Sequence, residues 1–289
     1  MTDWALMFSS SLIQNMFICT AICCVLAAVI GSFVVVKRIV FVTGGIAHTT
    51  FGGVGLAFYL QSNFLMMWFK PMLGAAIFAV SAAVIMASPK VSKMLREDSV
   101  IGVLWSVGMA LGVIFMHYVD TSVITPSGYE TVLFGSIVFL TKLDIYLIAT
   151  VASAILIIVA LLFRDLQLTT FDETQAKLSG INVTAMNVVL YIMIAITCVL
   201  MANLIGIIMI IALITIPPAI ANMFCNDLKE MIVSATVISL CLTMLALLIS
   251  IATNIPPGAT VAIVLGISFM ISIMARSVSG KLLARRAAA

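Results

Sequence analysis

Apolar residues run through this chain in blocks of about 20, the length a helix needs to cross roughly 30 Å of hydrocarbon. The blocks lie near residues 12–36, 39–60, 66–88, 99–118, 143–163, 185–201, 204–224, 231–252 and 258–275, and short polar stretches separate them. This pattern predicts an all-α polytopic membrane protein with about nine transmembrane helices. Asn203 stands alone between two of the runs. A bent pair or a re-entrant segment there would give eight spans instead.

One polar interruption carries a pattern of its own. Thr170 precedes Glu173 by three residues, the spacing of a capping box in which hydroxyl and carboxylate satisfy each other's backbone amides. Gly180 supplies a left-handed residue of the kind that stops a helix. Residues 170–180 are therefore expected to form a short helix closed at both ends. It serves either as a docking surface for a soluble partner or as a plain connection between spans.

Composition agrees with the pattern: 64% hydrophobic and 9% charged residues, with a mean hydropathy of +1.30, cannot be hidden in a water-soluble core. The small net charge of +3 matters for where it falls. In the nine-span arrangement Lys37, Arg38, Lys90, Lys93, Arg96, Arg164, Lys177, Lys229, Arg276, Lys281, Arg285 and Arg286 share one side, and only Lys70 and Lys142 fall opposite. The positive-inside rule makes the first side cytoplasmic, with the N-terminus outside, the C-terminus inside and the 170–180 helix in the cytoplasm. Met1-Thr2-Asp3-Trp4 lacks a basic leader, so the first span is expected to stay in place. The six cysteines fall in spans or near the cytoplasm and are read as packing residues. No phosphate-binding loop, zinc-protease His-Glu-x-x-His or nucleophile elbow occurs. The chain is expected to be no enzyme, to bind no nucleic acid, and to take any ATP-derived drive from a separate subunit.

The second span holds the candidate chemistry. Gly44, His48, Gly52 and Gly55 fall at i, i+4, i+8 and i+11, with Gly45, Thr49 and Gly53 as a neighbouring stripe. A stripe of glycines lets helices approach closely or leaves room for a narrow path. An imidazole in hydrocarbon is costly without a partner or a polar cavity, which makes His48 a functional candidate. Thr43, Thr49 and Thr50 are candidate helpers, and His117 lies with Tyr118 and Asp120 at the outer end of a later span. Pro217 and Pro218 remove two backbone donors from the seventh span, marking either a hinge or a kink.

These residues resemble the membrane permeases of bacterial ABC importers for zinc, manganese and iron. The resemblance covers nearly the whole chain. It rests on Gly31-Ser32-Phe33-Val34-Val35-Val36-Lys37-Arg38, on Ile46-Ala47-His48 followed by Gly52, on Leu133-Phe134-Gly135-Ser136, on the Asp172 to Gly180 helix, and on the apolar run Ile210 to Ala219 around Pro217-Pro218. It implies one transmembrane permease domain over residues 1–289, paired as a homodimer around a central path in the bacterial inner membrane. Two cytoplasmic ATPases and an extracytoplasmic metal-binding protein are the implied partners. No cofactor is tightly bound; the divalent metal is cargo and ATP sits on the partner. The coupling helix would dock the ATPase through Thr170, Asp172, Glu173, Ala176 and Gly180. Gly44, His48, Thr49 and Gly52 would line the path, with His48 a transient metal ligand. Family members commonly carry an aspartate at the position of Gly44, so a metal chelate is a second candidate substrate. An ion-coupled secondary transporter is the alternative class.

The orientation is open to labelling. A cysteine at Gln175 is expected to react with an impermeant maleimide only from the cytoplasmic side, and one at Ser127 only from outside.

Overall fold

Each of the nine apolar runs forms a helix in the computed structural model, which describes residues 11–120 and 142–287, the side chains of Ser92, Asn203, Leu204 and 279–287 excepted. Met1 to Trp4 and the Leu133–Ser136 segment lie outside the described residues. The described helices are α1 (Ser11–Val36), α2 (Val40–Phe64), α3 (Pro71–Ala87), α4 (Pro89–Met94), α5 (Glu97–His117), α6 (Lys142–Leu161), α7 (Phe163–Phe171), α8 (Glu173–Leu178), α9 (Val183–Ile205), α10 (Ile207–Phe224), α11 (Leu228–Thr253) and α12 (Pro257–Ala287).

Eight of these are long and apolar enough to cross a membrane. Of the nine apolar runs, the one that falls short is α3, whose 17 residues reach about 26 Å. Pro71 starts it at the first helical turn and Pro89 follows its end, so proline chemistry bounds it on both sides. The doubtful span is thus α3 and not the Asn203 region. Between α9 and α10 the chain breaks at Gly206, with φ 81° and ψ 157°, a region open essentially to glycine alone.

The bundle closes around α1 and α2, its most enclosed spans. α2 packs on α3, α5 and α9, and α1 on α10, α11 and α6. Small residues set these distances. A Cβ on Gly53 would overlap the Gly74 carbonyl and one on Gly74 the Gly53 carbonyl, so α2 and α3 meet backbone to backbone. Across α5, a Cβ on Gly52 would stand 2.7 Å from the Gly108 oxygen, and one on Gly55 2.6 Å from that of Gly112. Lipid offers no hydrophobic force between spans, so dispersion at such close approaches holds them together. α5, α6, α11 and α12 expose mostly apolar faces, as suits contact with lipid. Some hydroxyls inside the spans turn back on their own helices: Thr20 donates to the Met16 carbonyl at 2.8 Å and Ser32 to that of Ala28 at 2.7 Å.

Pro217 and Pro218 lie within their span without ending it. Both are buried inside α10, which runs unbroken from Ile207 to Phe224. They leave the carbonyls of Leu213 and Ile214 without their usual donors. The Ile214 carbonyl lies against Gly31 of α1, where any Cβ would overlap it and would also meet Pro218 Cγ at 2.9 Å. The released oxygen is covered by a neighbouring backbone.

Gly53→Val is expected to lower the thermal unfolding midpoint in detergent, at a cost of about 1–3 kcal/mol or more from overpacking against backbone. Gly266→Ala, where a Cβ meets nothing within 4 Å, is the matched control and should leave the midpoint in place.

Candidate functional site

The polar helix predicted over 170–180 forms, but with a different start. α8 begins at Glu173, and its N-cap is Asp172, in extended backbone at φ −150° and ψ 101°. The Asp172 carboxylate accepts from the amides of Thr174 at 2.8 Å and Gln175 at 3.0 Å. Thr170 is therefore not the cap: it lies buried in the last turn of α7. A carboxylate that satisfies two orphan amides displaces the hydroxyl. The other end follows expectation. Gly180 adopts φ 80°, its amide donates to the Lys177 carbonyl at 3.1 Å, and the Ile181 amide donates to that of Ala176 at 3.0 Å. This pair of bonds is the Schellman closure. Ala176 is the buried side chain of α8, and the other five face outward. Leu178 is 85% exposed and Phe171, just before the cap, 60%. Exposed large apolar side chains beside a capped helix form a surface suited to a protein partner. Sequence reasoning missed both, because an apolar residue in so apolar a chain gives no separate signal.

Glu173 does not reach back to a cap. Its Oε1 accepts from Lys37 Nζ at 2.9 Å and Asn187 Nδ2 at 3.1 Å. Lys37 also donates to the Thr169 carbonyl at 3.3 Å. Partial burial works to raise the Glu173 carboxyl, but the hydrogen bonds from Lys37 and Asn187 and the charges of Lys37 and Lys177 outweigh it, and the group titrates below its ordinary value. Its contribution to stability is present above the ordinary carboxylate range and is lost as pH falls through the lowered value. Lys37 is held from its own side. The Arg38 amide donates to Val35 at 3.1 Å and the Ile39 amide to Val34 at 3.0 Å, with Arg38 left-handed at φ 63°, so α1 ends in a Schellman turn built on arginine. Beside the pair a cavity of about 480 Å³ opens between α4, α5, α8 and α9, lined by Lys93, Glu97, Lys177, Thr184, Asn187 and Tyr191 among others.

His48 sits mid-span on α2. Its ring stacks on that of Trp105 from α5, centroids 4.1 Å apart and planes at 16°. Its Nδ1 is buried and has no hydrogen-bond partner. Gly44, one turn earlier, lies under the same indole: a Cβ there would stand 3.1 Å from Trp105 Cζ3. Trp105 thus covers the position where an oxygen ligand four residues before His48 would project. A lone tryptophan in an apolar run was its only sequence signal. Thr49 Oγ1 is committed, bonding the carbonyls of Gly45 at 2.7 Å and Leu104 at 3.1 Å, and Thr50 bonds that of Ala47. The Thr43 hydroxyl is buried without a partner. Gly52 faces Gly108 and Phe78, so within one subunit the stripe forms a seam toward α3 and α5. Among the described residues no three His, Cys, Asp or Glu side chains converge. A single imidazole falls short of the four or more ligands that hold a metal ion tightly. His117 packs edge-on against Tyr118, 5.3 Å between centroids, at the far end of α5.

Comparison with known proteins bears on this arrangement as a whole. The family described as "ABC 3 transport family" matches residues 9–276. The chain is 30% identical to a Chlamydia muridarum protein named "Probable metal transport system membrane protein", over 85% of this chain and 83% of that one. It is 26% identical to the manganese import system permease protein ScaB of Streptococcus gordonii, covering 90% of each. Its fold superposes on a chain of PsaBC from Streptococcus pneumoniae, solved in complex with Fab, with a TM-score of 0.78 and 26% identity over 91% of both chains.

Asp172→Ala is expected to destabilise the start of α8 by about 1 kcal/mol, speeding hydrogen exchange at the Thr174 and Gln175 amides roughly fivefold. Thr170→Val should leave those two amides unchanged.

Proposed function

The chain belongs to the ABC 3 transport family, and from that membership we propose that it is the transmembrane permease subunit of an ATP-driven importer of a divalent transition metal ion. Manganese is the first candidate, after the relative named for it, with zinc and iron as the others. The observation that carries the reading is α8: a helix closed at both ends by Asp172 and Gly180, with Leu178 and Phe171 turned outward at the basic end of the bundle. A soluble ATPase is the partner such a surface suits.

In this reading residues 1–289 act as one permease domain, two copies pair around a central path, and two ATPases seat on the α8 helices from the cytoplasm. An extracytoplasmic binding protein delivers the metal. The N-terminus lies outside and the C-terminus inside, in the bacterial inner membrane. His48 contributes its unpartnered imidazole as a transient ligand, and Gly44, Thr49 and Gly52 set how closely the helices around it approach. Pro217 and Pro218 act as a hinge, since α10 lacks two internal hydrogen bonds there. A permease needs passage and not retention, so one weak nitrogen contact per subunit is chemically sufficient. The metal is substrate, and ATP is hydrolysed on the partner chain.

Uptake of radioactive manganese, zinc and iron into proteoliposomes, with the cognate ATPase and binding protein, tests this reading. His48→Ala is expected to cut uptake by about tenfold or more, the scale of losing one ligand-supporting contact, while dimer formation and ATPase recovery persist. Unchanged uptake of all three ions would remove His48 from the mechanism; uptake of a metal chelate by the same vesicles would reassign the substrate. Gly44→Asp alone must displace the indole, so the double change with Trp105→Ala is expected to retain metal more tightly than the parent. Gly180→Val is expected to weaken ATPase recovery, because a β-branched residue resists the left-handed conformation by roughly 1 kcal/mol or more.

A further inference from the structure

We propose that the Lys37–Glu173 ion pair is the link through which movement of α8 enters the membrane-spanning core, making Lys37 a positioning residue for transport. The inference rests on the permease reading above, in which α8 is the helix that an ATPase moves.

α8 has few other means of passing on a force. It is six residues long, packs on α7 and α9, and buries Ala176 alone among its side chains. It meets the end of α1 at a carboxylate oxygen. Glu173 Oε1 takes hydrogen bonds from Lys37 at the end of α1 and from Asn187 on α9, and Lys37 binds the α7 backbone at Thr169 as well. A single acidic group thereby joins α8 to α1, α7 and α9. The lysine end is held firmly, because the Schellman turn at Arg38 fixes the backbone on which Lys37 stands. Its side chain is mostly enclosed, at 11% exposure against 45% for that of Glu173. Nearby, Phe33 of α1 meets Phe163 of α7 edge to face at 6.1 Å, and Lys229 of α11 lies 5.7 Å from the Phe163 ring. What reaches α1 therefore reaches α10 and α11, on which α1 packs.

The surroundings leave space for motion. The 480 Å³ cavity lies beside the pair, with Glu173 and Lys177 of α8 on its wall together with Lys93 of α4 and Glu97 of α5. The Glu173 end of the pair is open to solvent, at 45% exposure, so the pair is screened and adds little to stability. Its loss should therefore show in coupling before it shows in folding, which separates this role from a merely structural one.

The experiment measures ATP hydrolysis and manganese uptake together, in proteoliposomes holding the complete complex, for the parent, Lys37→Met and Lys37→Arg. Lys37→Met is expected to recover ATPase at the parental ratio and to hydrolyse ATP at an unchanged rate, while ions carried per ATP fall by about fivefold or more, the lower end of ordinary coupling between sites. Lys37→Arg, which keeps the charge and the donors, is expected to restore most of that ratio. Parental ions per ATP in Lys37→Met would overturn the proposal. So would a loss that Lys37→Arg fails to relieve, since position 37 would then act through packing. If the parent chain itself recovers no ATPase, the permease reading fails, and the link fails with it.

Discussion

Close contact between helix backbones is the constraint on which the remainder of this molecule depends. Spans surrounded by lipid gain nothing from hiding apolar side chains from one another, so they adhere by dispersion at short range and by satisfying any polar group that the hydrocarbon would strand. Glycines provide both. Gly53 against Gly74 brings α2 and α3 together, Gly52 and Gly55 bring α2 to α5, and Gly31 lets α1 cover the Ile214 carbonyl that Pro218 leaves without a donor. Because α2 lies this close to α5, the His48 ring stacks on Trp105.

Two regions of different chemistry follow. Within the span, His48 and Gly44 lie under the Trp105 indole, and among the described residues no three His, Cys, Asp or Glu side chains converge. At the basic end the polar groups are paired and directed: Asp172 closes α8, Gly180 stops it, and Glu173 leaves the helix to meet Lys37 and Asn187. The first region suits a path and the second a joint.

Much of this was legible in the chain. Runs of apolar residues show spans regardless of their neighbours, since crossing hydrocarbon is a requirement on each segment separately. Gly180 and the acidic start of α8 were likewise readable, because helix ends are local chemistry. The cap itself was read two residues too early: Thr170 has the right spacing, but the competition between its hydroxyl and the Asp172 carboxylate is decided by where α7 ends, which depends on packing. The double proline was read as a hinge or a kink, and what covers the carbonyls it frees is again a matter of packing. A helix lacking two donors looks broken on paper, yet it stays whole where another backbone covers its free carbonyl.

By itself, then, the sequence determined that this is an all-α membrane protein, where its spans fall, and that a short closed helix and one intramembrane histidine stand apart from the rest. Its resemblance to metal-importer permeases was carried by local motifs, and the family match over residues 9–276 agrees with it. Only the tertiary structure decided that Trp105 covers Gly44 and stacks on His48, that Lys37 belongs to Glu173, and that the glycine stripe is a seam within the subunit. Those pairings join residues 57 and 136 positions apart in the chain. Periodicity reports which face of a helix a residue occupies, but the partner on that face is chosen by how whole helices pack, and no local pattern encodes it.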